Sequence, residues 1–228
     1  MSDWYIILSL FPGLFIAFLF YLYVDRYEKE PTGPVILSFM LGMVASAITY
    51  LLEEYLSNMF PQVQTKLWSA FVFALLGVSF VEEVTKIMVF WAYPKRIEAF
   101  NEPLDGIIYF VIIAMGFATV ENILYGAIYG LETILIRSIT AVPAHGIFGV
   151  MIGYAFGMQK FSHLDRKQAL YIIGYAILLH GVYDFFIIQN TSDYLLIGAL
   201  FALGFGIWIS LRYIRRAQDL SPFKNPSA

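Results

Sequence analysis

Seven stretches of this chain are apolar for about as long as a bilayer is thick. They cover roughly residues 4–24, 34–54, 67–93, 104–129, 134–158, 169–189 and 194–213. A helix needs ~20 residues to cross ~30 Å of hydrocarbon. Within lipid, a helix is the element that satisfies every backbone polar group inside one segment. Helix breakers stand between the runs: Pro31-Thr32-Gly33-Pro34, Asn58 to Pro61, Tyr93-Pro94, and Gln189 to Asp193. No gap leaves room for a soluble domain. The expected fold is therefore an all-α, polytopic transmembrane bundle of seven helices. It forms one membrane domain over residues 1–215, followed by a short cytoplasmic tail over 216–228.

Composition agrees. Of 228 residues, 60% are hydrophobic and only 14% charged, where a soluble domain is about a quarter charged. That excludes most soluble enzymes and disordered proteins. The net charge of −3 provides no basic patch for nucleic acid. The absence of cysteine excludes disulfides, thiolate metal sites and thiol nucleophiles. The first run has no basic n-region and no A-x-A site after it, so an uncleaved helix with its N-terminus outside is expected. On that topology eleven of the fourteen Lys and Arg residues fall at the cytoplasmic end: Arg26, Lys29, Lys95, Arg96, Lys160, Arg166, Lys167, Arg212, Arg215, Arg216 and Lys224. Outer loops hold only Lys66, which is a strong positive-inside bias.

Against this background, ionisable residues inside the spans stand out, because each costs ~2.5–3.5 kcal/mol at the bilayer centre. Glu82, Glu83 and Lys86 lie in the third span, and Asp105, Glu121 and Asn122 in the fourth. Arg137 and His145 lie in the fifth, and His180 and Asp184 in the sixth. Glu82, Glu83, His145 and His180 sit near span centres. Glu121 and Asp184 lie ~7 Å further toward the outer side at 1.5 Å per residue. Four helices thus offer carboxylates and imidazoles at one depth, and a shared interior site is the economical arrangement. His180 and Asp184 are i,i+4 and project from one face, as do Glu82 and Lys86. Glu82 and Glu83 point about 100° apart, so one is expected to face the site and the other a partner such as Lys86. Pro143 should bend the fifth span by freeing the carbonyl of Ile139. Gly149, Gly153 and Gly157 then form a small-residue stripe for close helix contact.

Other polar groups have plainer explanations. Glu53-Glu54 reads as a solvated helix end. Glu102 and Asp105, around Pro103, read as helix-start acids. Arg137 reads as a residue that snorkels or pairs with Glu132 or Asp184. The four Trp residues read as lipid-facing or interfacial.

The sequence contains no H-E-x-x-H, no G-x-S-x-G and no pair of intramembrane aspartates. Glu and His remain, and two hydrolytic arrangements suit them. In one, His145, His180 and a carboxylate, Glu121 or Asp184, hold Zn²⁺ while another Glu activates its water. In the other, Glu activates water without a metal and His180 helps to stabilise the oxyanion.

The same residues form five ordered motifs. These are Glu82-Glu83-Val84-Thr85-Lys86, Glu102-Pro103-Leu104-Asp105-Gly106-Ile107-Ile108-Tyr109, Gly116-Phe117-Ala118-Thr119-Val120-Glu121-Asn122, Ala144-His145-Gly146 and His180-Gly181-Val182-Tyr183-Asp184. In order and spacing they resemble the PrsW family of intramembrane proteases, which is similar in plan to the CAAX prenyl proteases. The resemblance covers nearly the whole chain. It implies a multi-pass protein of the bacterial cytoplasmic membrane that cuts a membrane-anchored substrate. It further implies that the substrate is a single-pass anti-sigma factor, cut in response to envelope stress. On this reading Glu82, Glu83, His145 and His180 are catalytic, with Glu83 favoured as base. His145, His180, Glu121 and Asp184 are the candidate zinc ligands, and Lys86, Asn122, Glu102 and Asp105 support them. Asp184 stands where the CAAX relatives often have Asn, which favours zinc. The rival classes are a proton- or ion-coupled transporter and a non-catalytic scaffold. Against the transporter, no internal repeat links two halves of the chain.

Overall fold

A computed structural model describes residues 3–59 and 66–224. Every regular element among the described residues is helical, with no strand. Helix α1 (Asp3–Leu19) continues as a π-helical turn over Phe20–Val24. Helix α2 spans Thr32–Ser57. The third crossing is composite: α3 (Leu67–Val72), a π-helical segment (Phe73–Ser79) and α4 (Phe80–Ala92). Then follow α5 (Pro103–Tyr129), α6 (Leu131–Ile139), α7 (Ala141–Lys160), α8 (Arg166–Ile188) and α9 (Leu196–Asp219). Seven of these helical runs are long and apolar enough to cross a membrane. The runs extend a few residues past the apolar stretches, because helix geometry continues into the polar boundary where hydropathy falls. Part of the Asn58–Pro61 connection, and the tail from residue 225, lie outside the described residues.

Helices α5 and α7 form the axis of the bundle. From Leu104 to Thr119 every α5 residue is buried, and α7 is buried almost as completely from Ala141 to Met158. A helix that is apolar all round belongs in an interior. Lipid tails offer no hydrophobic drive for one helix to leave them for another, so close packing and hydrogen bonds must hold the pair together. Glycine permits the approach. A Cβ on Gly153 would lie 2.3 Å from the Gly106 carbonyl oxygen, and one on Gly157 would lie 2.1 Å from that of Pro103. The outer helices add side chain-to-backbone bonds between crossings. Asn122 Nδ2 donates to Ser9 O at 3.2 Å, Ser79 Oγ to Ile177 O at 2.8 Å, and Ser210 Oγ to Ile147 O at 3.3 Å.

Chain punctuation follows the sequence. Pro103 opens α5, where a missing N–H costs nothing, and Gly130 ends it with φ +90°. Asp165 caps α8: its Oδ1 accepts the Gln168 N–H at 2.8 Å, and Gln168 Oε1 accepts the Asp165 N–H at 3.0 Å. The fifth crossing breaks at Thr140 (φ −122°, ψ −75°), and Pro143 follows in the first turn of α7. The expected bend is thus a full interruption between α6 and α7. Trp4, Trp68, Trp91 and Trp208 are each about half exposed or more, as residues of a lipid-facing surface should be.

Candidate active site

Glu82 and Glu83 occupy the first turn of α4, and Lys86 lies one turn on. All three are buried. The Lys86 ammonium donates to Glu82 Oε2 at 3.0 Å and to Glu83 Oε1 at 2.9 Å. One lysine thus joins both members of the pair, although their side chains leave the helix in different directions. Charges this deep persist only when paired. Lys86 also lies 4.2 Å above the Phe117 ring and 3.1 Å from His145 Nδ1. An ammonium has no lone pair, so His145 Nδ1 accepts and its Nε2–H is left to donate. That N–H meets Glu121 Oε2 at 2.7 Å, and Arg137 Nη2 reaches the same oxygen at 3.0 Å.

His180, on α8, is set between two carboxylates. Its Nδ1 lies 2.8 Å from Glu83 Oε1 and its Nε2 3.1 Å from Asp184 Oδ2. Phe148 stacks on its ring at 4.4 Å, and His145 meets it edge-on at 5.3 Å. Glu82 Oε2 lies 3.7 Å from His145 Nδ1 and 4.0 Å from His180 Nε2. One carboxylate oxygen therefore faces both imidazoles. A cavity of about 650 Å³ meets the cluster here and is lined by Glu82, His145 and His180. Glu83 is not part of its wall; it stands behind Glu82 and holds His180. The cavity reaches the bundle end formed by Ser57, Tyr129 and Ile188, which is the end away from the basic residues.

Seven of the residues singled out in the sequence meet here: Glu82, Glu83, Lys86, Glu121, His145, His180 and Asp184. Three do not. Asn122 turns from Glu121 toward the backbone of α1. Glu102 and Asp105 lie at the other end of the bundle, where Asp105 Oδ2 accepts the N–H groups of Asn101 and Glu102 at 2.7 and 2.8 Å. Arg137 pairs with Glu121 and covers the Tyr125 ring at 4.2 Å, rather than meeting Glu132 or Asp184. The α6–α7 break brings it over the cavity.

Glu53 corrects the solvated-end reading. It lines the cavity with Glu82, Glu121 and Asp184, and its Oε1 is buried without a hydrogen bond. A signal for this was available. Ser38, Gly42, Ser46 and Thr49 are the buried face of α2, and Glu53 continues that small and polar stripe by one turn.

The donor set suits a metal ion. Glu82, Glu83, His145 and His180 each present a ligand atom, all within 4.8 Å of one another. Two imidazoles with carboxylates are the donors of catalytic zinc. Glu83 Oε2 is buried and free of hydrogen bonds, so it could bind an ion without giving one up. Glu121 and Asp184 stand behind the imidazoles, where carboxylates orient ligating histidines. Lys86 Nζ holds the centre of the set, so an ion there would have to displace it.

Comparison with known proteins gives one answer. A family model described as PrsW family intramembrane metalloprotease matches residues 30–211. The chain is 32% identical to Protease PrsW of Geobacillus kaustophilus over 208 residues, 91% of this chain and 89% of that one. It is 31% identical to Protease PrsW of Bacillus subtilis, covering 92% and 94%. It is 36% identical to Protease PrsW of Clostridioides difficile, covering 71% and 70%. No solved structure matches.

Proposed function

This chain belongs to the PrsW family and is an intramembrane protease of the bacterial cell membrane, and we propose that it cuts an anti-sigma factor in stress-responsive signalling. The substrate would be a membrane-anchored, single-pass protein. On the topology expected from the basic residues, the cavity opens to the outer face and the cut falls on the substrate's extracytoplasmic side.

In this proposal Glu82 is the general base, in place of the Glu83 favoured by sequence alone. The carrying observation is that Glu82 Oε2 faces both imidazoles at the cavity wall, while Glu83 is engaged behind it. Glu82 takes a proton from a water as its oxygen attacks the scissile carbonyl carbon. The C–N bond then breaks, and the proton passes to the leaving amine. Glu83 holds His180 in position, and Glu121, backed by Arg137, holds His145. A metal would be held by His145, His180 and Glu83, and it would supply Lewis-acid activation of the water.

The test is co-expression of the full chain with a tagged single-pass anti-sigma factor in bacterial cells, read by immunoblot. Wild type should yield a shortened fragment. E82Q should reduce that fragment by ~100-fold or more at unchanged membrane abundance. E82Q cleaving at the wild-type rate while E83Q is inactive would return the base role to Glu83. Cleavage surviving in both variants would sink the glutamate mechanism.

A further inference from the structure

At the basic end of the bundle, where α1 hands over to α2 and α5 begins, a second group of carboxylates converges. Glu28, Glu30 and Asp105 each present an oxygen, all within 4.8 Å of one another. Asp25 and Glu102 lie beside them, and Asp25, Glu30, Glu102 and Asp105 are at most 1% exposed.

The hydrogen bonding of this group is lopsided. Asp25 Oδ2 accepts the Glu30 N–H at 2.9 Å, Asp105 Oδ2 accepts two backbone N–H groups, and Glu30 Oε2 accepts the Tyr109 hydroxyl. In every case the partner oxygen is buried with no hydrogen bond: Asp25 Oδ1, Asp105 Oδ1 and Glu30 Oε1. The same holds for Glu28 Oε2, whereas the Glu102 carboxylate lies within hydrogen-bond reach of Ser221. Each anchored carboxylate is thus fixed by one oxygen, and Glu30 and Asp105 lie close enough for their carboxyls to hydrogen-bond to each other when one is protonated.

The nearby cations do not neutralise the group. Lys29 Nζ donates to the Tyr21 and Leu22 carbonyls at 2.9 Å each, and to that of Asp25. Lys160 Nζ donates to the Phe100 carbonyl at 2.6 Å and lies over the Phe100 ring. Among the described residues no ion pair reaches any of the five carboxylates. Buried charges are normally paired, so this many buried carboxylates at one place without a counter-ion call for a partner.

We propose that Glu28, Glu30 and Asp105 form a site for one hard divalent cation, Mg²⁺, Mn²⁺ or Ca²⁺, at the basic end of the bundle. All its donors are oxygens, which suits these ions and not zinc. The ion would bind residues 25–30 to the start of α5. Gln218 Nε2, which donates to Val24 O at 2.8 Å, would link the end of α9 to the same point. The site is independent of the protease reading, and neither histidine contributes to it.

Mn²⁺ is the probe. The full chain, purified in mild detergent, stripped with EDTA and desalted, is titrated with Mn²⁺ while electron paramagnetic resonance follows the free ion. The background is H145A/H180A, so that the catalytic cluster does not report. One Mn²⁺ should bind, with Mg²⁺ and Ca²⁺ competing. E30Q/D105N should abolish binding. E28Q, at a residue only partly buried and so tolerant of change, should weaken it about tenfold or more, because ligand charge sets affinity in such sites. Binding unaffected by E28Q and E30Q/D105N would overturn the proposal. So would Mn²⁺ binding that disappears with H145A/H180A alone, since the ion would then belong to the other cluster. Absence of Mn²⁺ binding in every chain would leave protons as the occupants and refute it equally.

Discussion

Gly153→Ala places one methyl group in the tightest part of the α5–α7 interface. Its Cβ would lie 2.3 Å from Gly106 O and 2.7 Å from Ile107 Cα, where ordinary contact begins at 3.4 Å. Both neighbours are backbone, so no rotamer change can relieve the clash. The helices must part by about 1 Å. Overpacking of this kind costs about 1–3 kcal/mol. The effect should also reach the site. His145 lies on α7 about two turns from Gly153, or ~12 Å along the helix, and its Nε2 meets Glu121 of α5 at 2.7 Å. A 1 Å shift of a positioned group can cost ~100-fold in rate. G153A should therefore unfold more readily in a detergent titration by about 1–3 kcal/mol and cleave substrate ~10–100-fold more slowly. Gly174→Ala and Gly204→Ala are the controls, since nothing lies within 4 Å of a Cβ at either position. Should G153A match both controls in stability and rate, α5 and α7 are not packed backbone to backbone, and the interior geometry built on that contact fails with it.

The remaining predictions concern the site and its orientation. Arg137→Met should slow cleavage about 10–100-fold, because Glu121 would keep His145 but lose its guanidinium partner at 3.0 Å; a wild-type rate would show that Glu121 needs no support. Elemental analysis of chain purified without chelator should find about one zinc per chain and none in H145A/H180A, on the donors His145, His180 and Glu83; none in either would favour water activated by glutamate alone. The chain contains no cysteine, so single replacements Asn58→Cys and Ser162→Cys can report topology. An impermeant reagent should label the first from outside intact cells and leave the second untouched, and the reverse pattern would invert the proposed orientation.

Depth along the membrane normal was legible in the sequence, because a span has a length and a centre. Residues at similar depth on helices of one bundle lie in one layer, and the expense of charge in lipid turns that layer inward. That reasoning placed Glu82, Glu83, His145, His180, Glu121 and Asp184 together, and it required neither packing angles nor register. The glycine stripe of α7 was legible for a similar reason: a repeat of four is a face on any helix.

Azimuth was not legible, and it decides roles. The choice between Glu82 and Glu83 depends on rotation about the helix axis, which is estimated by counting 100° per residue from the start of the span. The π-helical segment at Phe73–Ser79 breaks that count just before the pair. Each π turn takes more residues than an α turn, so a wheel drawn from Leu67 misplaces whatever follows. The break at Thr140 does the same for Arg137 relative to His145, which lie on opposite sides of it. Glu53 failed for a different reason. A position near a span end suggests access to water, but here the cavity brings the cluster's polar environment to that end. The polar stripe along α2, ending at Glu53, is a periodic signal with no irregular turn in its path. In a polytopic chain such a stripe is therefore better evidence for a cavity wall than distance from the span centre is evidence for solvent.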